Sequence, residues 1–222
     1  MISEAIVTLR NPTSVASEAY RALRTNIEFA NLDEPLRTLL VTSAGPDDDK
    51  EISLANLAVT MADGEQPVIV VDADLRWPGL HTLFGLNNQR GFTDLFRDPA
   101  AFENPPLQAI PETTLLVLTS GPLPQIPSQI LNSAKMTDVL NRLKELANLV
   151  LFNAPPLMMA TDATLLASKV DGTLLIVKAN VTKRDHIKAA KDRLEKVKVN
   201  LIGAVLSNAP VDASLKQYYE RK

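Results

Sequence analysis

The 222-residue sequence predicts a three-layer α/β fold, with a mostly parallel central sheet and helices on both faces. Three observations carry this. Short, nearly continuous apolar runs recur along the chain, as in strands buried on both faces. Segments with the 3.6-residue period of an amphipathic helix separate most of them. The run from Leu36 to Thr42 also leads through a tight loop holding one lysine, Lys50, into a helical pattern with Ile52, Leu54, Leu57, Val59 and Met61 as its apolar positions.

Taken in order, Thr13 to Ala30 reads as a helix, capped by Thr13 or Ser14, with Ala19, Leu23, Ile27 and Ala30 on one face. Strands are expected at Thr38 to Thr42, Val68 to Asp72, Leu115 to Leu118, Leu149 to Phe152, Thr173 to Val177 and Leu201 to Leu206. Helical periods fall at Ser53 to Ala62, Lys135 to Leu146, Asp162 to Ala167 and Lys183 to Val197. Proline-rich connections, Pro99 to Pro111 and Pro122 to Pro127, read as long ordered loops. With no internal repeat or composition break, the expectation is one domain over 1–222, divided into an N-terminal segment 1–36, a core 37–207 and a tail 208–222.

Composition narrows the function. A chain that is 45% hydrophobic can bury one substantial core, while a net charge of −3 supplies no field to hold nucleic acid or an anionic membrane. No apolar run approaches the ~20 residues that span a bilayer, and Met1-Ile2-Ser3-Glu4 does not begin a secretory signal. The absence of cysteine excludes disulfides and thiolate metal sites. His81 and His186 lie far apart and read as surface or packing residues.

In a parallel sheet, ligands bind at the carboxyl ends of the strands, and three ends are chemically distinctive. The first, Ser43 to Ala62, has the strand, loop and helix layout of a phosphate-binding loop, which makes the fold P-loop NTPase-like. Such a loop needs glycines so that backbone N–H groups can close on phosphate, a lysine for charge, and Ser or Thr for magnesium. Gly45, Pro46 and Lys50 suit that role. Asp47, Asp48 and Asp49 crowd the loop instead of glycine, and Glu51, ahead of Ile52, stands where the hydroxyl belongs. The second end, VIVVDADLRWP, sets Asp72 and Asp74 two residues apart and then Arg76. Two such acids can face one pocket, as a magnesium-ordering or base pair would, although an isolated DxD is more often a solvated turn. The third end, LVLFNAPP, carries Asn153 where an acid would hold the magnesium shell, and an amide brings no balancing negative charge.

At these residues the chain resembles the cytoplasmic kinase domain of the bacterial tyrosine kinases that work with polysaccharide co-polymerases in capsule and exopolysaccharide synthesis. They form part of the wider MinD/ParA-type group. The resemblance runs from about Pro12 to Tyr219. It includes Glu18, Arg21 and Arg24, which match the family's ExxRxxR pattern, a helix that helps to assemble rings. It also includes Leu75 to Phe96, Thr119 to Leu131 and Thr161 to Val177. The family loop resembles GPGEGKS, so Asp47, Asp49 and Glu51 replace two glycines and the hydroxyl residue, and Asn153 replaces the third-strand acid. The resemblance also implies phospho-acceptors in a terminal tyrosine cluster, here Tyr218 and Tyr219. A purine-contacting position is implied after the last strand, at Ser207 or Asn208.

Like charges about 4 Å apart cost ~1 kcal/mol in water and ~4 kcal/mol at an effective dielectric of 20. Acids at 47, 48, 49 and 51 facing a triphosphate therefore predict weak ATP binding and little phosphoryl transfer, with no tightly held cofactor; ATP and Mg2+ belong here only if the site still works. Two readings of the acids stand side by side. They either close the site themselves, with an Asp capping the following helix and Lys50 turned to Asp72 or Asp74, or they form a solvated helix start.

Three functions follow. The first is a degenerate, pseudokinase-like domain that regulates capsular, exopolysaccharide or lipopolysaccharide synthesis. It meets a transmembrane co-polymerase domain on the same or a separate chain, at the inner face of the plasma membrane, and self-associates through Glu18, Arg21 and Arg24. The second is an active tyrosine autokinase using Lys50, Asp72 and Asp74. The third is a MinD/ParA-like ATPase switch. No nucleic-acid partner is expected, since no basic patch or terminal membrane helix supports the third reading, which DNA or liposome co-sedimentation would test. For the helix motif the plainer alternative is an i,i+3 ion pair on a solvated face.

Overall fold

The computed structural model describes residues 1–30 and 34–211. In chain order its elements are α1 (Val7–Arg10), α2 (Val15–Ala30), β1 (Thr38–Ser43), α3 (Lys50–Met61), β2 (Val68–Asp72), α4 (Leu80–Phe84), a 3-10 helix (Phe92–Phe96), α5 (Pro99–Glu103), β3 (Gln108–Ala109), β4 (Leu115–Leu118), α6 (Pro127–Leu131), α7 (Lys135–Leu146), β5 (Leu149–Asn153), α8 (Asp162–Ala167), β6 (Gly172–Lys178), α9 (Arg184–Lys196) and β7 (Leu201–Ser207). Tyr218 and Tyr219 lie outside the described residues.

The seven strands form one sheet in the order β3-β4-β2-β5-β1-β6-β7. All neighbours pair in parallel except β3, which runs antiparallel to β4 at one edge. Side chains alternate across the pleat, so the central strands supply two cores. Leu40, Ile69, Val71 and Phe152 pack with Val139 and Leu143 of α7, Leu166 of α8 and Leu194 of α9. On the other face Leu39, Val41, Val70, Leu151 and Ile176 pack with Leu54 and Leu57 of α3, Phe84 of α4 and Ile27 of α2. This is the three-layer arrangement that the alternating pattern predicts.

Helix α3 is buried along the whole of Ser53 to Thr60, because it lies between the sheet and the N-terminal helices. Its polar positions are therefore partnered. The Asn56 Oδ1 accepts from the Thr8 N–H and hydroxyl at 3.0 Å each, and its Nδ2 donates to the Ala5 carbonyl at 3.0 Å, which ties α1 down. Of the two caps proposed for α2, Ser14 is the one used, since its hydroxyl accepts the Ser17 N–H at 3.1 Å.

The proline-rich connections are more regular than expected. Pro99 and Pro127 each stand in the first turn of a short helix, where a missing N–H costs nothing, and Asp98 caps the first of them through the Ala100 N–H at 2.9 Å. Sequence order hides what matters most for the site. β5 is inserted between β2 and β1, so Asn153 comes into register with both Asp72 and Val41.

Candidate functional site

The carboxyl ends of β1, β2, β5, β6 and β7 share one edge of the sheet, and the loop after β1 lies across it. Within that loop Asp48 is turned inward and is 2% exposed. Its Oδ2 accepts the Gly45 N–H at 2.8 Å, and its Oδ1 accepts the hydroxyl of Thr182, from the loop after β6. The Thr182 hydroxyl in turn accepts the Lys178 N–H at 2.7 Å, and the Ser207 hydroxyl, at the end of β7, donates to the Asp48 carbonyl at 3.3 Å. Pro46 and Asp47 face solvent, while Glu51 and Ile52 are half-buried.

Asp49 holds a left-handed backbone, φ 54° and ψ 32°, where a glycine would be unstrained and Asp is among the better-tolerated substitutes. It stands at the start of α3 but does not cap it. Its carboxylate is paired with Lys178 Nζ at 2.7 Å. The expected side-chain cap is therefore absent. The left-handed turn and Lys178 carry the Asp49 carboxylate off, and Asp48 is already engaged at Gly45.

Lys50 is 3% exposed. Its ammonium donates to Glu51 Oε1 at 2.6 Å, Asn153 Oδ1 at 2.8 Å and Asp74 Oδ2 at 3.1 Å, matching its three protons. Of the two acids proposed as its partner, Asp74 makes the contact. The other Asp74 oxygen accepts the Trp77 and Arg76 N–H groups at 3.1 and 3.3 Å. Asp72 is fully buried, with Oδ1 accepting from Asn153 Nδ2 at 2.8 Å and Oδ2 from the Leu80 N–H at 2.9 Å. Burial pushes its carboxyl up to about 6, against the hydrogen bonds from Asn153 and Leu80 and the charge of Lys50, with Asp74 adding to the rise. Both candidate metal ligands thus spend their oxygens inside the protein. Among the described residues no group of three or more His, Cys, Asp or Glu side chains could hold a metal ion.

Other expected site residues lie elsewhere. Arg76 turns from the loop to α8 and pairs in bidentate fashion with the buried Asp162, Nε to Oδ2 at 2.7 Å and a terminal nitrogen to Oδ1 at 3.2 Å. A buried carboxylate is stabilised by a paired, hydrogen-bonded guanidinium. Asn208 is exposed one residue beyond β7, with φ 52°. On α2, Arg21 donates to Glu18 at 2.8 Å and to the Pro12 carbonyl at 2.8 Å. Arg24 pairs with Glu28 and reaches the Thr60 and Asp63 carbonyls at 3.0 and 3.3 Å, so it fastens α2 to the end of α3. Sequence reasoning missed Lys178, Thr182 and Asp162. The strand-end rule pointed to the first two, since they flank the end of β6, but nothing in their local sequence marks them.

The fold is one shared with MinD; MinD of Pyrococcus furiosus superposes with a TM-score of 0.64 over 84% of this chain and 80% of that one, at 19% identity. The chain belongs to the bacterial tyrosine-protein kinase family. It is 36% identical to the tyrosine-protein kinase YwqD of Bacillus subtilis over 91% of this chain and 85% of that protein. It is 33% identical to the putative tyrosine-protein kinase CapB of Staphylococcus aureus over 94% and 91%. Among solved structures, the chimerical protein CapA2B2 matches with a TM-score of 0.87, 29% identity and coverage of 94% and 92%. The kinase domain of Escherichia coli Etk matches with a TM-score of 0.83, 29% identity and coverage of 93% and 82%. The chain spans 29% of full-length Etk. No protein-family model matches it.

Proposed function

We propose that this protein is a kinase-family domain that has given up phosphoryl transfer and acts as a binding partner in the assembly of capsular or other surface polysaccharide. The observation that carries this is the state of Lys50, whose three protons are taken by Glu51, Asp74 and Asn153. A magnesium nucleotide does not fit the residues present. The Asp48 carboxylate accepts the Gly45 N–H that a phosphate oxygen would use, and Glu51 replaces a neutral hydroxyl with a charge. Entry of a triphosphate would have to break these contacts and meet four acids, at ~1 to 4 kcal/mol for each close like-charge pair.

The polysaccharide context is supported by relatives such as CapB and a putative tyrosine-protein kinase in the cps region of Klebsiella pneumoniae. In this reading residues 1–222 act as one domain whose partner is a transmembrane co-polymerase segment, on the same or another chain, which brings it to the inner face of the membrane. Among the described residues no helix is long and apolar enough to cross a membrane. Self-association uses the exposed part of α2 around Glu18 and Arg21, with Arg24 serving the fold.

Calorimetric titration with ADP and ATP, with and without magnesium, tests the closed site. Silence up to millimolar nucleotide is expected, and micromolar binding would overturn the reading. Family membership keeps an active autokinase as the second reading, with Lys50, Asp72 and Asp74 serving transfer to Tyr218 or Tyr219. Phosphotyrosine appearing in MgATP would establish it.

A further inference from the structure

We propose that Asn153 is a latch, a two-ended amide that joins Lys50 to Asp72 and so keeps the site closed on its own side chains in the absence of nucleotide. This rests on the closed-site reading above and deepens it. Asn153 is fully buried at the end of β5, between β1 and β2. Its Oδ1 accepts from Lys50 Nζ at 2.8 Å while its Nδ2 donates to Asp72 Oδ1 at 2.8 Å. Only a side chain with an acceptor at one end and a donor at the other can join an ammonium to a carboxylate in this way. A carboxylate at 153 would satisfy Lys50 but would present a second acceptor to Asp72. An aliphatic side chain would leave both groups short of a buried partner.

Charge points the same way. Lys50 is shared by Glu51 and Asp74 and lies close to Asp72, and Arg76, the next cation along, is committed to Asp162. Three carboxylates around one ammonium leave no room for a fourth, and the amide adds none. The outer side of the loop is fastened separately, through Thr182 to Asp48 and Lys178 to Asp49. Asn153 acts through Lys50 and Asp72 and touches no substrate, so it is a positioning residue.

The test is a cycle of thermal unfolding measurements on the whole chain without nucleotide at neutral pH. Asn153→Asp is expected to lower the melting temperature. Glu51→Gln is expected to lower it in the wild-type background, by removing the closest partner of Lys50, and to raise it in the Asn153→Asp background, by relieving the surplus charge. That reversal of sign is the signature of the latch, and equal downward shifts in both backgrounds would overturn it. Should Asn153→Asp fail to fold, hydrogen exchange of the Asn153 side-chain amide, read by NMR, decides the matter. Exchange should quicken about tenfold or more in Lys50→Met, the equivalent of one lost hydrogen bond, and an unchanged rate would refute the proposal. Nucleotide binding by the wild type would sink the closed-site reading, whereas a silent titration with no reversal of sign would sink the latch alone.

Discussion

The Asp72 carboxyl shows how one residue reports on the whole site. Its upward shift to about 6 means that, between about pH 4 and 6, the folded protein holds a proton that the unfolded chain releases. The contribution of this group therefore favours the fold at low pH and is lost as pH rises through 6, over about two units or ~3 kcal/mol. Asp72→Asn removes that dependence. Its stability relative to wild type, measured by urea denaturation, should improve by about 2 kcal/mol between about pH 4 and pH 7. Asp49 offers a second check. Asp49→Gly relieves a left-handed residue, worth up to ~1 to 2 kcal/mol, and loses a part-exposed pair with Lys178 worth ~0 to 1 kcal/mol. The net should be stabilising by up to about 1 kcal/mol in the same denaturation experiment. At this scale the sequence marked Lys50, Asp74 and Asn153 as members of one site, because each follows a strand. It did not reveal that Lys50 is bound to Glu51 beside it, or that Arg76 belongs to Asp162. Those are choices among near neighbours that only packing makes.

Among the elements, α2 separates two arginines that look alike in the motif. Arg24 donates to two carbonyls at the end of α3, so Arg24→Ala should cost about 1 to 2 kcal/mol. Arg21 makes an i,i+3 pair with Glu18 and one exposed carbonyl bond, so Arg21→Ala should cost no more than about 0.5 kcal/mol. Sedimentation of the two variants then distinguishes self-association from folding: Arg21→Ala should shift the assembly without touching stability. The Arg76 and Asp162 pair tethers the β2–α4 loop to α8. Arg76→Ala would leave a buried carboxylate unpaired and should cost about 2 kcal/mol by denaturation, less than a fully buried pair because the guanidinium is partly in water. Regular elements were the most legible part of the chain. The strand from Val68 to Asp72 and the helix from Lys135 to Leu146 lie where hydrophobic period puts them. The short helices at Pro99 and Pro127 were not read, because a five-residue helix has no period to detect and proline suggested a loop.

For the whole molecule, the decisive arrangement is the sheet order, which brings the carboxyl ends of the six parallel strands to one edge, with the loop after β1 lying across it. Two of the four acids near Lys50 in sequence, Asp48 and Asp49, are held by residues more than a hundred positions away, Thr182 and Lys178, and a third, Glu51, by Lys50 itself. A solvated helix start would leave these carboxylates to water, so the geometry favours the self-closing reading of the loop. The sequence by itself determined the alternation of strands and helices, the three-layer class and the family, because each depends on local period or on residues adjacent along the chain. Tertiary structure alone decided that β5 lies between β1 and β2, and therefore that Asn153 meets Lys50 on one side and Asp72 on the other. Its physical reason is that strand order is settled by packing two apolar faces at once, a condition that no single segment of the chain can express.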